Sequence, residues 1–111
     1  RIYHGFPSGS DQISRDFRPL LTKIAKELQD DTSRIVVIGH TDSRKIKFSA
    51  RFPSNWHLSV ARADHVAGIM RADASLGERV RAEGRADWEP VAPNDTRENR
   101  ALNRRIDIHI R

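Results

Sequence analysis

Asp42 and Arg62 are the residues of this chain whose types and positions best suit the binding of a charged ligand. Asp42 follows residues 34–39, RIVVIG, a β-branched run typical of a strand that is buried on both faces. Ligands of open sheets gather beyond the carboxyl ends of such strands, and Asp42 stands at that place. An acid and an arginine on two sides of one cleft suit a zwitterion with separated ammonium and carboxylate groups.

The position of Arg62 adds to this hypothesis. Ser59 is expected to cap the second helix, which places Arg62 in its first turn, three residues after the cap. A capping box would have Glu or Gln there, and a cation opposes the helix dipole at a cost of ~0.3 to 1 kcal/mol. The arginine is favourable at that position if an anion docks at the start of the helix, and we therefore predict an anion site.

Two amphipathic stretches and three apolar runs are expected to position these residues. The strands are predicted at residues 34–39, 80–86 and 105–110, and the last alternates isoleucine with polar residues, which indicates one wet face. Asp16 is expected to cap the first helix, with Pro19 in its first turn. The helical stripes are Phe17, Leu20, Leu21, Ile24, Ala25 and Leu28, and then Val60, Ala63, Val66, Ala67 and Met70. With a further strand before the first helix, the order is strand, helix, strand, helix, strand, turn or short helix, strand. This order predicts an α+β fold with two main helices packed on one side of a mixed four-stranded sheet.

Length and composition predict one domain over residues 1–111. Charged residues make up 32% and apolar residues 37%, a balance typical of an α/β or α+β domain, and no run of about 18 apolar residues is present. Residues 1–10 lack the apolar stretch of a signal peptide, so any export signal or anchor is expected outside this segment. The chain has no cysteine, which excludes disulfides and thiolate metal sites.

Four motifs carry a resemblance to a known family. They are GHTD at residues 39–42, SNWHLS running into VARA at 54–63, EGRAD at 83–87 and NRRIDIHI at 103–110. In this order and spacing they resemble the OmpA-like C-terminal peptidoglycan-binding domain, over nearly the whole chain. The resemblance implies a β/α/β/α/β/β sandwich that binds the meso-diaminopimelate of the peptidoglycan stem peptide without catalysis, cofactor or metal.

The resemblance also implies roles for single residues. By it, Asp42 takes the ammonium group of diaminopimelate and Arg62 takes its carboxylate, while Arg104 adds a second cationic contact. Two further residues and one neighbour of Asp42 match family positions that shape the pocket; they are Asn55, Leu58 and Thr41.

The segment between the two gripping residues departs from the commonest outer-membrane members. Residues 44–52 make it longer, and RFPSNWHLS is similar to flagellar stator MotB-type and type VI secretion DotU/TssL-type members. Residues 83–108 lean toward the type VI group. The resemblance therefore implies a periplasmic domain of a Gram-negative inner-membrane protein, in contact with other subunits of an envelope-spanning complex. A homodimer stays open.

Other interpretations compete with this one. Asp42 and Arg62 could simply pair as a structural salt bridge, worth ~0 to 1 kcal/mol when exposed. A peptidoglycan hydrolase or amidase would need a metal cluster or a nucleophile with its base, and the five histidines show no ligand spacing. The net charge of +5 also suits nucleic acid, yet the arginines are scattered, and no nucleic-acid partner is predicted.

Several conspicuous residues have structural interpretations. Trp56 and Trp88 are expected to be packing residues, and Gly84 is expected to mark a bulge or a close backbone approach. Three arginines of the third strand region are expected to form a solvated face; they are Arg79, Arg81 and Arg85.

Overall fold

The computed structural model describes residues 2–3, 6, 12–13, 15–29, 32–44, 52–74 and 76–111. Most of the long loop predicted at residues 44–52 lies outside the described residues. Short 3-10 turns at Arg15–Phe17 and Gly77–Arg79 precede the first helix and the third strand. The helices and strands follow in the order β1 (Ile2–Tyr3), α1 (Arg18–Glu27), β2 (Ile35–Gly39), α2 (Asn55–Ala74), β3 (Val80–Gly84), α3 (Arg97–Asn103) and β4 (Arg105–Ile110).

The sheet is built around β2, whose five residues are all buried, as predicted for a central strand. β3 lies parallel on one side of it, with Gly84 beside Gly39. β4 lies antiparallel on the other side, with Ile106 beside Gly39. The mixed α+β fold is thus confirmed. The four-stranded sheet of the prediction is not confirmed to the same degree, because β1 adds only the pairs Ile2–Ile106 and Tyr3–Arg105 at the edge of β4.

The two long helices cover the face of the sheet to which Ile35 and Val37 point. α2 packs against β2 and β3, and α1 packs against α2. Leu21 and Ala25 of α1 are fully buried and join Ile35 and Val37 in one apolar core. Leu20, predicted for the same stripe, is 43% exposed. No described helix is long and apolar enough to span a membrane.

The start of α1 differs from the prediction. Asp16 belongs to the 3-10 turn Arg15–Phe17 and does not cap the helix, which begins at Arg18. Phe17 occupies the cap position without a side-chain hydrogen bond, whereas Pro19 lies in the first turn as predicted. The 3-10 turn continues directly into the helix, and this moves the cap position one residue on, from Asp16 to Phe17.

Arg79 closes the other end of α1, and its assignment to a solvated face is wrong. Its Nη2 donates to the carbonyl of Leu28 at 2.9 Å and its Nη1 to that of Gln29 at 3.3 Å. Its Nε donates to the carbonyl of Ser33 at 3.1 Å. The last carbonyls of a helix lack partners within the helix, and a cation is favoured at that end. Arg79 therefore joins α1 to the turn that precedes β3.

Ser59 fixes the start of α2 to the sheet. It is fully buried, and its hydroxyl donates to the carbonyl of Trp56 at 2.7 Å and accepts from the amide of Ala86 at 3.0 Å. A side chain at Gly39 would overlap the backbone oxygen of Ser59. One at Gly84 would lie 2.8 Å from the backbone nitrogen of Val60. The predicted close approach at Gly84 is confirmed.

Only part of the predicted wet face of β4 is wet. Arg105 and Asp107 are buried at 2% and 6% exposure, whereas His109 is exposed. Ile110, predicted to point into the core, is 53% exposed. Burial thus divides β4 along its length, because its first half lies beneath the segment that precedes α3, where Arg105 reaches the carbonyl of Glu89 at 2.9 Å.

Candidate functional site

Asp42 lies just beyond the end of β2, where the chain is held against the turn that follows β3. The amide of Thr41 donates to the carbonyl of Ala86 at 2.9 Å, and its hydroxyl donates to the carbonyl of Asp42 at 2.9 Å. Ala86 has a φ of 47°, in the left-handed region, and uses its amide on Ser59 and its carbonyl on Thr41. Asp42 is 5% exposed. Strand, turn and helix thus set the backbone on which the carboxylate stands.

The carboxylate of Asp42 is engaged from two directions. Its Oδ2 lies 2.7 Å from Nη1 of Arg104, and the two side chains are 7% and 16% exposed. Its Oδ1 accepts the backbone amide of Arg44 at 2.9 Å. Nε of Arg104 is buried and has no hydrogen-bond partner among the described residues. The pair therefore combines a fixed carboxylate with a guanidinium that keeps an unused donor.

Arg62 is the most deeply buried member of the site, with no exposed surface. Its Nη1 donates to the carbonyl of His40 at 3.3 Å, and its guanidinium lies 5.0 Å from the centroid of the Phe6 ring. His40 precedes Asp42 by two residues, so Arg62 reaches the same strand end as the Asp42–Arg104 pair. The cation is stabilised by a carbonyl dipole and an aromatic face.

The predicted position of Arg62 in the first turn of its helix is wrong. α2 begins at Asn55, one turn before the predicted start, because Ser54 caps it. The carbonyl of Ser54 accepts the amide of Leu58 at 3.1 Å, and its hydroxyl accepts the amide of His57 at 3.3 Å. Ser59 is therefore not the cap, and Arg62 lies in the interior of the helix. The argument from the helix dipole does not apply to it.

Asn55 and Leu58 both lie in the first turns of α2, and Asn55 reaches this strand end through Arg44. Nδ2 of Asn55 donates to the carbonyl of Arg44 at 3.1 Å, which ties the start of the helix to the residue whose amide holds Asp42. Leu58 is 2% exposed and belongs to the wall of the core. The structure thus brings Thr41, Asn55 and Arg104 to Asp42 directly or through Arg44.

Asn103 and Asn94 are site residues that sequence reasoning missed. Asn103 is fully buried; its Oδ1 accepts the amides of Val91 and Ala92, at 2.8 and 3.1 Å. Its Nδ2 donates to Oδ1 of Asn94 at 2.9 Å, and that oxygen also accepts the amide of Ser43 at 3.1 Å. Asn103 is the first residue of the N-R-R motif, and its place in that motif was the signal available in the sequence.

Beneath the site lies a buried polar cluster on the face of the sheet opposite Ile35 and Val37. Nε2 of His40 lies 3.1 Å from Oδ2 of Asp107, and Nε of Arg105 lies 3.4 Å from the same oxygen. Burial lowers the pKa of His40 to about 4, and the charge of Arg105 acts in the same direction. The charges of Asp107 and Glu89 oppose this shift only in part. His40 is consequently neutral at pH 7.

The chemistry available at the site is recognition of charge. One fixed carboxylate and two guanidinium groups converge on the end of β2, from Asp42, Arg62 and Arg104. Among the described residues, no three histidine, aspartate or glutamate side chains are grouped as metal ligands would be. The fold and the site together define a small α+β domain with one buried acid and two arginines at the end of its central strand.

The OmpA family model matches residues 5–104, and the chain belongs to the OmpA family. It is 39% identical over 107 residues to Motility protein B of Bacillus subtilis, covering 95% of this chain and 41% of that protein. It is 34% identical over 106 residues to the outer-membrane lipoprotein YfiB of Pseudomonas aeruginosa, covering 95% of this chain and 60% of that protein. The chain spans about half the length of the curated relatives it matches.

Solved structures agree with this assignment. The cell wall anchor of the type VI secretion system from Pseudomonas aeruginosa is 45% identical, with a TM-score of 0.83, over 95% of this chain and 73% of that one. The C-terminal domain of Helicobacter pylori MotB is 28% identical, with a TM-score of 0.90, over 100% of this chain and 86% of that one. The resemblance found in the sequence motifs is therefore confirmed, including its two favoured subgroups.

Proposed function

We propose that this domain binds peptidoglycan without catalysis, through the meso-diaminopimelate of the stem peptide. The observation that carries the proposal is the ion pair of Asp42 with Arg104 at 2.7 Å, with Arg62 bonded to the carbonyl of His40 two residues away. These residues come from β2, α2 and the end of α3, and nothing in their sequence separation requires them to meet. A site of one acid and two arginines suits a ligand with one ammonium and more than one carboxylate.

In the proposed complex, the ammonium of diaminopimelate lies against Asp42, which keeps lone pairs beyond those used by Arg104 and Arg44. The ligand carboxylate meets the guanidinium groups of Arg62 and Arg104. Nε of Arg104, unpartnered among the described residues, is the donor most ready to receive it. Thr41, Asn55 and Leu58 set the shape of the cleft.

Arg62 has no exposed surface, and a ligand reaches its guanidinium only after the residues that cover it move. Phe6 is one of these, because its ring lies 5.0 Å from the guanidinium and is itself 3% exposed. In the closed arrangement Arg62 holds the carbonyl of His40 and thereby the backbone that leads to Asp42. We propose that Arg62 has both roles, as a support of the strand end and as a ligand of the carboxylate.

We further propose that the parent protein anchors an envelope complex to the cell wall from the inner membrane, with this domain in the periplasm. The 45% identity to a cell wall anchor of a type VI secretion system favours that machine over a flagellar stator, for which the solved MotB domains are 26% to 29% identical. Motility protein B of Bacillus subtilis, at 39%, keeps the stator as the alternative. Other subunits of such a complex are the expected partners.

Co-sedimentation with purified peptidoglycan sacculi tests the binding site. Asp42→Ala and Arg104→Ala are expected to weaken binding roughly tenfold or more, because each removes a charge-assisted contact worth about 1.5 to 3 kcal/mol. Arg81→Ala is the matched control, since it removes one positive charge from an exposed position of β3. Equal pelleting of all three variants with the parent would exclude this site.

Arg62→Ala needs a separate control, because removal of a fully buried side chain also destabilises the fold. Arg62→Lys keeps the charge but not the bidentate geometry. We expect the lysine variant to melt close to the parent while it binds sacculi at least several-fold more weakly. A variant that keeps both its melting temperature and its binding would restrict the site to Asp42 and Arg104.

A further inference from the structure

A shallow depression of about 400 Å³ lies at the open edge of β3, beside the start of α2. Its lining combines an aromatic ring, small strand residues and a charged pair; the residues are Trp56, Val60, Ala82, Glu83, Gly84 and Arg85. Ligand pockets run from roughly 300 to 1,000 Å³, so this one has room for about one sugar ring. The peptide-binding role proposed above leaves it without a function.

Trp56 forms the apolar part of the depression. It is 44% exposed, and the expectation that it is a packing residue is wrong. The His57 ring lies at 80° to it, with centroids 5.2 Å apart, and His57 is held by the hydroxyl of Ser54 at 2.7 Å. The indole is thus exposed but braced. An exposed aromatic ring with a polar rim is typical of an interaction site.

The polar part of the depression is balanced in charge. Nη2 of Arg85 lies 2.9 Å from Oε2 of Glu83, and Nε of Arg85 lies 3.7 Å from Oε2 of Glu89. Arg85 and Glu83 are each 38% exposed. Because the charges of Glu83 and Arg85 offset one another, the lining itself offers donors and acceptors without a net charge, which suits a neutral ligand with hydroxyl groups better than an ion.

The edge of β3 supplies backbone groups as well. The amide of Arg85 donates inward to the carbonyl of Gly39 at 3.0 Å, and peptide groups alternate in direction along a parallel strand. Gly84 therefore directs its peptide groups outward, as Val80 does. Nη2 of Arg71 donates to the carbonyl of Val80 at 2.7 Å. Arg71 therefore blocks the pairing of an added strand at this end of the edge. An acetamido group is short enough to pair at Gly84 alone.

We propose that this depression binds an N-acetylhexosamine ring of the peptidoglycan glycan strand. The indole of Trp56 stacks on the apolar face of the sugar, whose C–H groups face the negative face of the ring. Glu83 and Arg85 bond its hydroxyls, and its acetamido group pairs with the strand edge at Gly84. The inference rests on the proposed function, since it assigns the sugar of the same polymer whose stem peptide occupies the Asp42 site.

The two sites are close enough to serve one polymer. Trp56 follows Asn55, whose amide holds the carbonyl of Arg44, and Arg44 in turn holds Asp42. On the sheet side, Ala86 bonds Thr41 and comes directly after Arg85. The depression and the Asp42 site thus lie on either side of one junction between β3 and α2, as a sugar and its attached peptide require.

The test compares two soluble ligands by calorimetry: the tripeptide L-Ala-γ-D-Glu-meso-diaminopimelate, and the same peptide carrying the N-acetylglucosamine–N-acetylmuramic acid disaccharide. We expect the parent domain to bind the disaccharide ligand about tenfold more tightly than the tripeptide. Trp56→Ala is expected to remove this difference and leave tripeptide binding unchanged. Trp56→Phe keeps an aromatic face and is expected to restore most of the gain.

Trp88→Ala is the matched control, because Trp88 is 62% exposed and does not line the depression. The chain has two tryptophans, and in this variant Trp56 is the sole indole. Its fluorescence is expected to change with the disaccharide ligand and not with the tripeptide. Equal parent affinities for the two ligands would refute the sugar site and leave the peptide site standing.

Two other outcomes separate the sugar site from the alternatives. If the parent binds neither ligand, the proposed function fails, and the sugar site fails with it. If Trp56→Ala instead alters the sedimentation coefficient of the free domain and not its preference for the disaccharide, the depression is a contact between copies of the chain, and the proposal is overturned.

Discussion

The carboxylate of Asp42 is fixed before any ligand arrives, by Arg104 at 2.7 Å and the amide of Arg44 at 2.9 Å. A fixed carboxylate loses little side-chain entropy on binding, which favours affinity. The same contacts partly neutralise it, so an ammonium group alone gains little there. A ligand with both groups can bind both members of the pair. Its ammonium then binds the Asp42 carboxylate, and its carboxylate binds the Arg104 guanidinium. On the proposed function, we therefore expect the site to prefer a zwitterion over a simple amine.

His40 makes stability depend on pH in a predictable direction. Its pKa falls from 6.5 in the unfolded chain to about 4 in the folded domain, so between these values only the unfolded chain takes up the proton. The contribution of neutral His40 to the free energy of unfolding is therefore fully present above pH 6.5. It is lost as the pH falls from 6.5 toward 4. The pKa difference corresponds to about 3 kcal/mol.

Urea unfolding at pH 7.5, 6.0 and 4.5 measures this dependence. His40→Gln is expected to flatten the profile relative to the parent over this range, whatever its absolute stability. His57→Gln serves as the control, because His57 is exposed. A parent and a His40→Gln variant with parallel profiles would contradict the assignment.

Close packing between α2 and the sheet is the main constraint at the level of the elements. Gly39→Ala places a methyl group against the backbone oxygen of Ser59, which cannot rotate away. We expect a loss of about 1 to 3 kcal/mol in the free energy of unfolding, as for an overpacked core. Chemical denaturation measures it.

Gly68→Ala provides the matched comparison. Gly68 lies within α2, and a side chain there meets no atom within 4 Å. The same substitution is expected to stabilise the domain by about 0.5 to 1 kcal/mol, since alanine favours a helix over glycine. Opposite signs for the two variants would establish close approach as the cause, whereas two stabilising changes would refute it.

Asn103 organises the segment between β3 and α3. Asn103→Ala removes one acceptor of two backbone amides, Val91 and Ala92, and one donor to Asn94. We expect a loss of roughly 2 to 4 kcal/mol, because buried partners remain unsatisfied. Asn99→Ala is the control on the same helix, with one exposed side-chain bond to Asp95. Comparable losses in both variants would contradict this role.

The strands could be predicted from sequence better than the helix starts. The run from Ile35 to Gly39 is a short, continuous β-branched stretch, and such a stretch is recognisable from local sequence alone. The start of α2 cannot be recognised in the same way, since Ser54 and Ser59 are both good N-caps by residue type. Ser59 is instead used by the amide of Ala86, which lies 27 residues further along the chain. Such a contact has no local signature.

The same limit applies to the candidate site. Asp42 could be predicted because a strand end is visible in the sequence, and Arg104 because its motif is. Their direct pairing spans 62 residues and was not predicted. Arg62 was predicted in the first turn of its helix, a position that it does not occupy. Its burial against Phe6 and the carbonyl of His40 depends on contacts between residues far apart in the sequence, and it was not predicted.

Across the whole molecule, much of the basic excess serves internal structure. Among the described residues, five arginines donate to backbone carbonyls; they are Arg62, Arg71, Arg79, Arg100 and Arg105. The net charge of +5 therefore overstates the positive surface offered to an anionic polymer. This argues against nucleic acid, whose binding would need these side chains outside.

One core predicts one unfolding transition. Leu21 of α1, Val66 of α2, Val37 of β2 and Ile106 of β4 belong to a single apolar cluster. We expect far-ultraviolet circular dichroism and tryptophan fluorescence to report the same urea midpoint, as a two-state domain requires. Midpoints that differ would show that residues 1–111 contain more than one cooperative unit.

Arg44 has a consequence for how this domain diversifies. Its amide is bound by Asp42 and its carbonyl by Asn55, so the chain is clamped at a point where β2 departs and α2 begins. In the sequence, residues 45–51 follow Arg44 and precede Asn55. We expect insertions or deletions among these residues to leave both contacts of Arg44 in place. The length of this sequence segment is then a variable that selection, or an engineer grafting a new recognition segment, can change without displacing the Asp42 carboxylate.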